Sequence, residues 1–196
     1  MDGSIASPAL PAWVPRCAID VEAYHGMAAA GILRPDDRVE LIEGELVGMA
    51  SVGGPHIGCV MALSDLLSPL RPGGIRISIQ SPVRLSRYSE PEPDIVLLRP
   101  RADHYRGGLP PLAEDALLLI EVADTTLRMD REVKAPLYAR HGIPELWIVD
   151  LAGSVVLVHR EPSPEGYRSV TEARRGDTLA PALLPEAALA VAESLG

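Results

Sequence analysis

An α/β fold with a mixed central β-sheet flanked by helices is predicted by three features of the sequence. Two short runs, DIVLL (94–98) and ALLLIEV (116–122), are almost continuously apolar, as strands covered on both faces are. Two longer stretches carry apolar residues at helical intervals between capping and stop signals. The order helix, two or three strands, helix, strand and a final β extension interleaves the two kinds of element, which packs helices onto a sheet.

Taken along the chain, residues 1–17 are rich in Pro, Ala and Ser without periodicity, which predicts a loose arm before a single domain over 18–196. Asp20 is placed to cap a helix from Val21, with Tyr24, Met27 and Ala28 at helical spacing and Gly31 as its stop. RVELIEGELVGM reads as a hairpin turning at Glu43-Gly44. Residues 56–67 carry Ile57, Val60, Met61, Leu63 and Leu67 at mostly helical intervals, limited by Pro69. IRISIQ alternates as a strand does, and PVRLS continues extended after a break. The long polar segment RPRADHYRGGLPPLAED joins the two apolar strands, and loops of that length in compact domains are usually functional or mobile. The cluster Asp124-Thr125-Thr126 is suited to cap a helix from Leu127 to His141, ended by Gly142 and kinked by Pro136. ELWIVD and SVVLVH form a hairpin around Leu151–Gly153, YRSVTEA adds a strand, and PEAALAVAESL predicts a C-terminal helix.

Composition narrows the function classes. With 196 residues and 47% hydrophobic residues, the chain can bury a core without staples. Its two cysteines, Cys17 and Cys59, form no zinc or disulfide pattern. No secretory leader is legible at the start and no apolar run is long enough for a bilayer, so a soluble, cytoplasmic protein is expected. The net charge of -9 opposes broad electrostatic capture of nucleic acid, although arginines outnumber acids between positions 71 and 106. Of 18 basic residues only Lys134 is lysine. Genome composition explains the bias; a compact, titratable ammonium where arginine is the default also fits a chemical task.

Two acids border the apolar strands. Asp94 opens DIVLL on the face of Val96 and Leu98, and Glu121 lies near the end of ALLLIEV on the face assigned to Leu119 and Leu117. If the strands are neighbours, the two carboxylates converge and repel. A divalent cation such as Mg2+ or Mn2+ removes that penalty. Such an ion polarises a phosphoryl oxygen and helps generate hydroxide, while Lys134 is suited to orient water or stabilise developing charge.

At these residues the sequence resembles the PD-(D/E)XK nuclease superfamily, and within it a large bacterial family of restriction-endonuclease-like proteins called Uma-type. The resemblance is carried by DRVELIEGELV, PEPDIVLL, LLLIEVADTTLRMDREVKAPLYARHGIPELWIVD and His56, covering most of residues 20–151. It implies a restriction-endonuclease-like fold and a metal-dependent endonuclease acting on DNA. It assigns Asp94 and Glu121 as metal ligands with the Val122 carbonyl as a third. The superfamily's lysine belongs at position 123, where Ala123 stands; the resemblance transfers that role to Lys134, with Asp130 one turn before it.

Plainer readings stand beside these. Glu121 can be a strand-end acid, Asp94 a turn acid after Pro93, and Lys134 a partner of Asp130 on a helix surface. His56, Glu40 and Gln80 are candidates for the site rim, or else a helix-start residue, a cross-strand ion-pair partner and a strand end. Tyr138 and Trp147 read as core residues with polar tips. The arginine-bearing loop at His104 and Tyr105 reads either as a phosphate contact or as a solvated loop. Besides the endonuclease, two functions fit: a catalytically inactive dimeric module of the same fold, and a hydrolase of small phosphoesters. The β extension after position 150 favours a homodimer.

Overall fold

The computed structural model describes residues 13–34 and 36–195; most of the expected N-terminal arm lies outside them. Six strands form the central sheet in the order β3-β4-β5-β6-β7-β8: β3 (Arg76–Ile79), β4 (Ile95–Leu98), β5 (Ala116–Ala123), β6 (Glu145–Asp150), β7 (Val155–Ser163) and β8 (Gly166–Arg174). All neighbours are antiparallel except β5 and β6, which are parallel and therefore need the helical crossover between them. The sheet is mixed, as expected. The two apolar runs occupy its interior, and every residue of β4 and β5 is buried.

Each face of the sheet carries its own core. On one, helix α2 (Gly54–Leu67) packs Cys59, Val60, Leu63 and Leu67 against Ile95, Leu97, Trp147 and Val149. On the other, Val96, Leu98, Leu119 and Ile148 meet Val83, Ala135 and Tyr138. The register between β4 and β5 shifts at Leu97/Leu98, where a bulge leaves Leu117 over. That extra residue corrects the expected pattern: Leu119 lies in the core beside Tyr138, but Leu117 joins the α2 side.

Helix α1 (Val21–Ala29) is capped as expected, with the Ala23 N–H donating to Asp20 at 2.8 Å, but only Val21 of it is buried. The hairpin of β1 (Val39–Ile42) and β2 (Glu45–Gly48) turns at Glu43 and Gly44, both at positive φ. A Cβ at Gly44 would stand 2.5 Å from that of Ala18, while the Gly44 carbonyl accepts from Ile19 N–H at 2.9 Å. We expect Gly44→Ala to cost about 1–3 kcal/mol from backbone strain and overlap, read as a lower urea midpoint with an unchanged slope.

Several expectations need correction. Ile57 and Met61 of α2 are exposed, because that helix buries a narrower stripe than its apolar content allows. PVRLS forms isolated bridges and no strand. The crossover is not one regular helix: α3 (Leu127–Met129) passes through a π turn, Asp130–Lys134, into α4 (Ala135–Arg140). Pro136 lacks an N–H and its ring crowds the carbonyl four residues back, and the turn before it widens, with Ala135 N–H bonding to Asp130. No side chain caps this helix; Thr126 instead donates its hydroxyl to Asp130 at 2.7 Å. The predicted C-terminal helix shrinks to α5 (Val191–Ser194), after the short pair β9 (Thr178–Leu179) and β10 (Leu189–Ala190). Among the described residues, no helix is long and apolar enough to cross a membrane.

Candidate active site

Extending the β4–β5 register by one residue from Ile95 opposite Ile120 sets Asp94 opposite Glu121. Both side chains rise on the Tyr138 side of the sheet, and Asp94 is held there by the Val122 N–H, which donates to its Oδ2 at 2.8 Å. The π turn carries Asp130 and Lys134 into the same region, both buried. Lys134 Nζ donates to Glu121 Oε1 at 3.3 Å and lies 3.2 Å from Glu40 Oε2 of β1. The Tyr138 hydroxyl donates to the same Glu121 oxygen at 2.6 Å. His56, in the first turn of α2, faces the Val122 carbonyl through Nδ1 at 3.0 Å and Asp94 Oδ1 through Nε2 at 2.9 Å.

These groups border a cavity of about 580 Å³ that also reaches Glu92, Asp124, Arg38 and Arg128. Of the expected residues, Asp94, Glu121, Val122, Lys134, Glu40, His56 and Asp130 all line it. Gln80 does not: it lies in a separate hollow beside Ile57 and Met61, and only its backbone N–H reaches the Asp94 carbonyl, at 2.9 Å. Glu92 and Asp124 were not anticipated. Tyr138 was read as core, which its burial supports, but its hydroxyl belongs to the site. Its position one turn after Lys134 was the available signal.

The electrostatics follow from burial. Removal from water pushes the Glu121 carboxyl well above the usual range, and Lys134 pulls it only partly back. Burial likewise raises Asp130 and, with Glu40 adding repulsion, Glu92. Burial would lower the Lys134 ammonium, but Glu121, Glu40 and Asp130 together hold it above its ordinary value, so it stays charged. The site therefore contains more buried carboxylate than cation. His56 is raised, chiefly by Asp94 against burial. Yet its Nε2 stands at ion-pair distance without the alignment of a hydrogen bond, and is a buried polar atom with no such partner.

The donor set suits a hard divalent cation. Asp94 and Glu121 supply oxygen from adjacent strands, the surplus of negative charge favours a cation, and one nitrogen beside them is unsatisfied. Among the described residues, no three His, Cys, Asp or Glu side chains already close around one point. A bound ion would have to recruit the Val122 carbonyl or water besides the two acids.

Residues 21–192 match the model of the Uma2 family, whose description reads "Putative restriction endonuclease". No curated protein matches the chain. Among solved structures, a crystal structure titled as "a putative nuclease belonging to DUF820" from Anabaena variabilis ATCC 29413 is similar. It is 16% identical, with a TM-score of 0.70, and the match covers 90% of this chain and 97% of that one. At that identity the likeness is one of fold, and the family match spans most of the sequence. The chain is a member of the Uma2 family, with that family's restriction-endonuclease-like assignment and a nuclease-like α/β fold.

Proposed function

We propose that this protein is a divalent-metal-dependent endonuclease that hydrolyses phosphodiester bonds in DNA. The observation that carries the reading is the cross-strand pair Asp94–Glu121 with the chain's single lysine, Lys134, 3.3 Å from Glu121. In this reading Asp94, Glu121 and the Val122 carbonyl hold Mg2+ or Mn2+. The ion, when bound, would polarise the phosphoryl oxygen and lower the pKa of water.

The chain's own residues do the rest. Lys134 places a fixed positive charge beside the reacting phosphate, where it orients water or offsets charge that grows in the transition state. Glu40 positions Lys134 through an ion pair, and the Tyr138 hydroxyl positions Glu121 through a hydrogen bond. His56 meets the Val122 carbonyl through Nδ1 and sets its Nε2 at ion-pair distance from Asp94. The activity belongs to one domain over 18–196 and to the cytoplasm, where Cys17 and Cys59 remain free thiols. A homodimer is part of the proposal, with the open edge of β8 as its pairing surface, and sedimentation of the purified protein reads the assembly state.

The test is incubation of plasmid DNA with Mg2+ and purified wild type, Lys134→Ala or Asp94→Asn. Cleavage by the wild type alone supports the assignment; equal cleavage by all three removes it. A second reading, an inactive module of this fold, draws on the lack of a closed ligand trio among the described residues. Calorimetry that detects neither Mg2+ nor Mn2+ binding would favour it.

A further inference from the structure

The seven arginines between positions 71 and 106 divide by their partners into two groups. Arg84, Arg87 and Arg101 are tied to Glu90, Asp20 and Asp103 at 3.0, 2.8 and 2.8 Å, and Arg99 donates to the Glu114 carbonyl at 3.0 Å. Arg71, Arg76 and Arg106 have no hydrogen bond or ion pair among the described residues, and all three line one hollow of about 750 Å³. His104 lines it as well, as does His25, whose Nε2 meets Glu90 at 2.5 Å, and among the described residues no carboxylate lines it. In a chain of net charge -9, that concentration of unpaired positive charge is local and one-sided.

Arg76 is the informative member. Its Nε is buried and has no hydrogen-bond partner. A buried donor of a charged group that has lost water without gaining a partner is unfavourable, and an incoming anion would relieve it. In the β3–β4 register Arg76 is opposite Leu98 and Ser78 opposite Val96, so both share a sheet face with Asp94 and Glu121. Four residue steps, along β3 and one beyond its end, lead from Arg76 to Gln80, whose N–H meets the Asp94 carbonyl. At roughly 3.3 Å per residue this is about 13 Å. It corresponds to about four base pairs of duplex rise at roughly 3.4 Å each.

We infer that this basic hollow binds phosphodiester groups of the DNA flanking the position held at Asp94 and Glu121. The inference rests on the nuclease reading for the identity of the polyanion. The chemistry recognised is a phosphate oxygen, which either a DNA backbone or free phosphate can present. Arginine forks suit it, and His104 at its border adds a ring donor.

The experiment is anisotropy of a labelled DNA duplex in EDTA, across a salt series, so that no cleavage is required. Wild type is compared with Arg71→Ser/Arg106→Ser, with the triple variant that adds Arg76→Ser, and with the control Arg34→Ser, an exposed arginine already paired with Asp37 that lines neither this hollow nor the site cavity. Each lost phosphate contact lowers the slope of log affinity against log salt by about 0.9. The double variant should therefore lose about 1.8 and the triple about 2.7, with the control unchanged. The double variant changes only exposed side chains, so it reads out even if the triple folds poorly. An unchanged slope in the double variant, or a wild type that binds no duplex, overturns the inference. So does inorganic phosphate that saturates the arginines in calorimetry while duplex fails to compete with it. Plasmid cleavage in Mg2+ separates the two readings: a cleaving protein with unchanged slopes loses only this site, and a non-cleaving protein with reduced slopes loses only the nuclease assignment.

Discussion

Lys134→Met is expected to destroy cleavage and destabilise the fold at once. Methionine keeps the stem and removes the ammonium, which leaves Glu40 and Glu121 buried without their shared cation. Losing one partner of a buried charge pair typically costs about 3–5 kcal/mol, since the remaining charge has no water to turn to. The activity loss should be about 10²–10³-fold, the usual size for removing one group that stabilises transition-state charge. Arginine should not rescue it fully, because its planar fork needs more room than the ammonium between Glu40 and Glu121. Urea denaturation and single-turnover cleavage, run on both variants, separate the two effects. A methionine variant with wild-type stability would mean that the ion pairs contribute little, and one with wild-type rate would remove Lys134 from the chemistry.

Glu121→Gln should act in the opposite direction on stability and in the same direction on activity. Burial already disfavours the Glu121 charge, and Lys134 keeps Glu40 when the amide replaces the acid. The amide also retains an acceptor for the Tyr138 hydroxyl, now at 2.6 Å. We therefore expect a stability at pH 8 equal to or above the wild type's, with cleavage lowered by about 10²-fold or more through loss of an anionic ligand. Thermal melts at that pH, paired with the plasmid assay, read both. A clearly less stable variant would show that the Glu121 charge is structural, contrary to this account.

How much of this was legible in the sequence depends on the length scale of the cause. The central strands were readable because β4 and β5 are buried on both faces and their residues say so directly. The same is true of the Glu43-Gly44 turn and the Asp20 cap, where local chemistry decides. Leu117 was misassigned because a bulge in the register is invisible to strict alternation. The π turn was only half legible: Pro136 announced a disruption but not that the helix would widen and bury Asp130 and Lys134 together. The C-terminal stretch PEAALAVAESL has good helix formers, yet tertiary context pairs Leu189 with Leu179 in β9 and leaves one helical turn. At the site, the acids and lysine could be named from their types and positions. Glu92 and Asp124 could not, since each sits in a loop whose path is set by the folded chain.

The most direct measurement is manganese binding followed by electron paramagnetic resonance, which reports occupancy without any cleavage. Wild-type protein should bind one Mn2+ at the Asp94–Glu121 pair, and either Asp94→Asn or Glu121→Gln should weaken it by about 10-fold or more. A wild type that leaves the ion free, or two variants that bind it as tightly as the wild type, would contradict the assignment of these carboxylates.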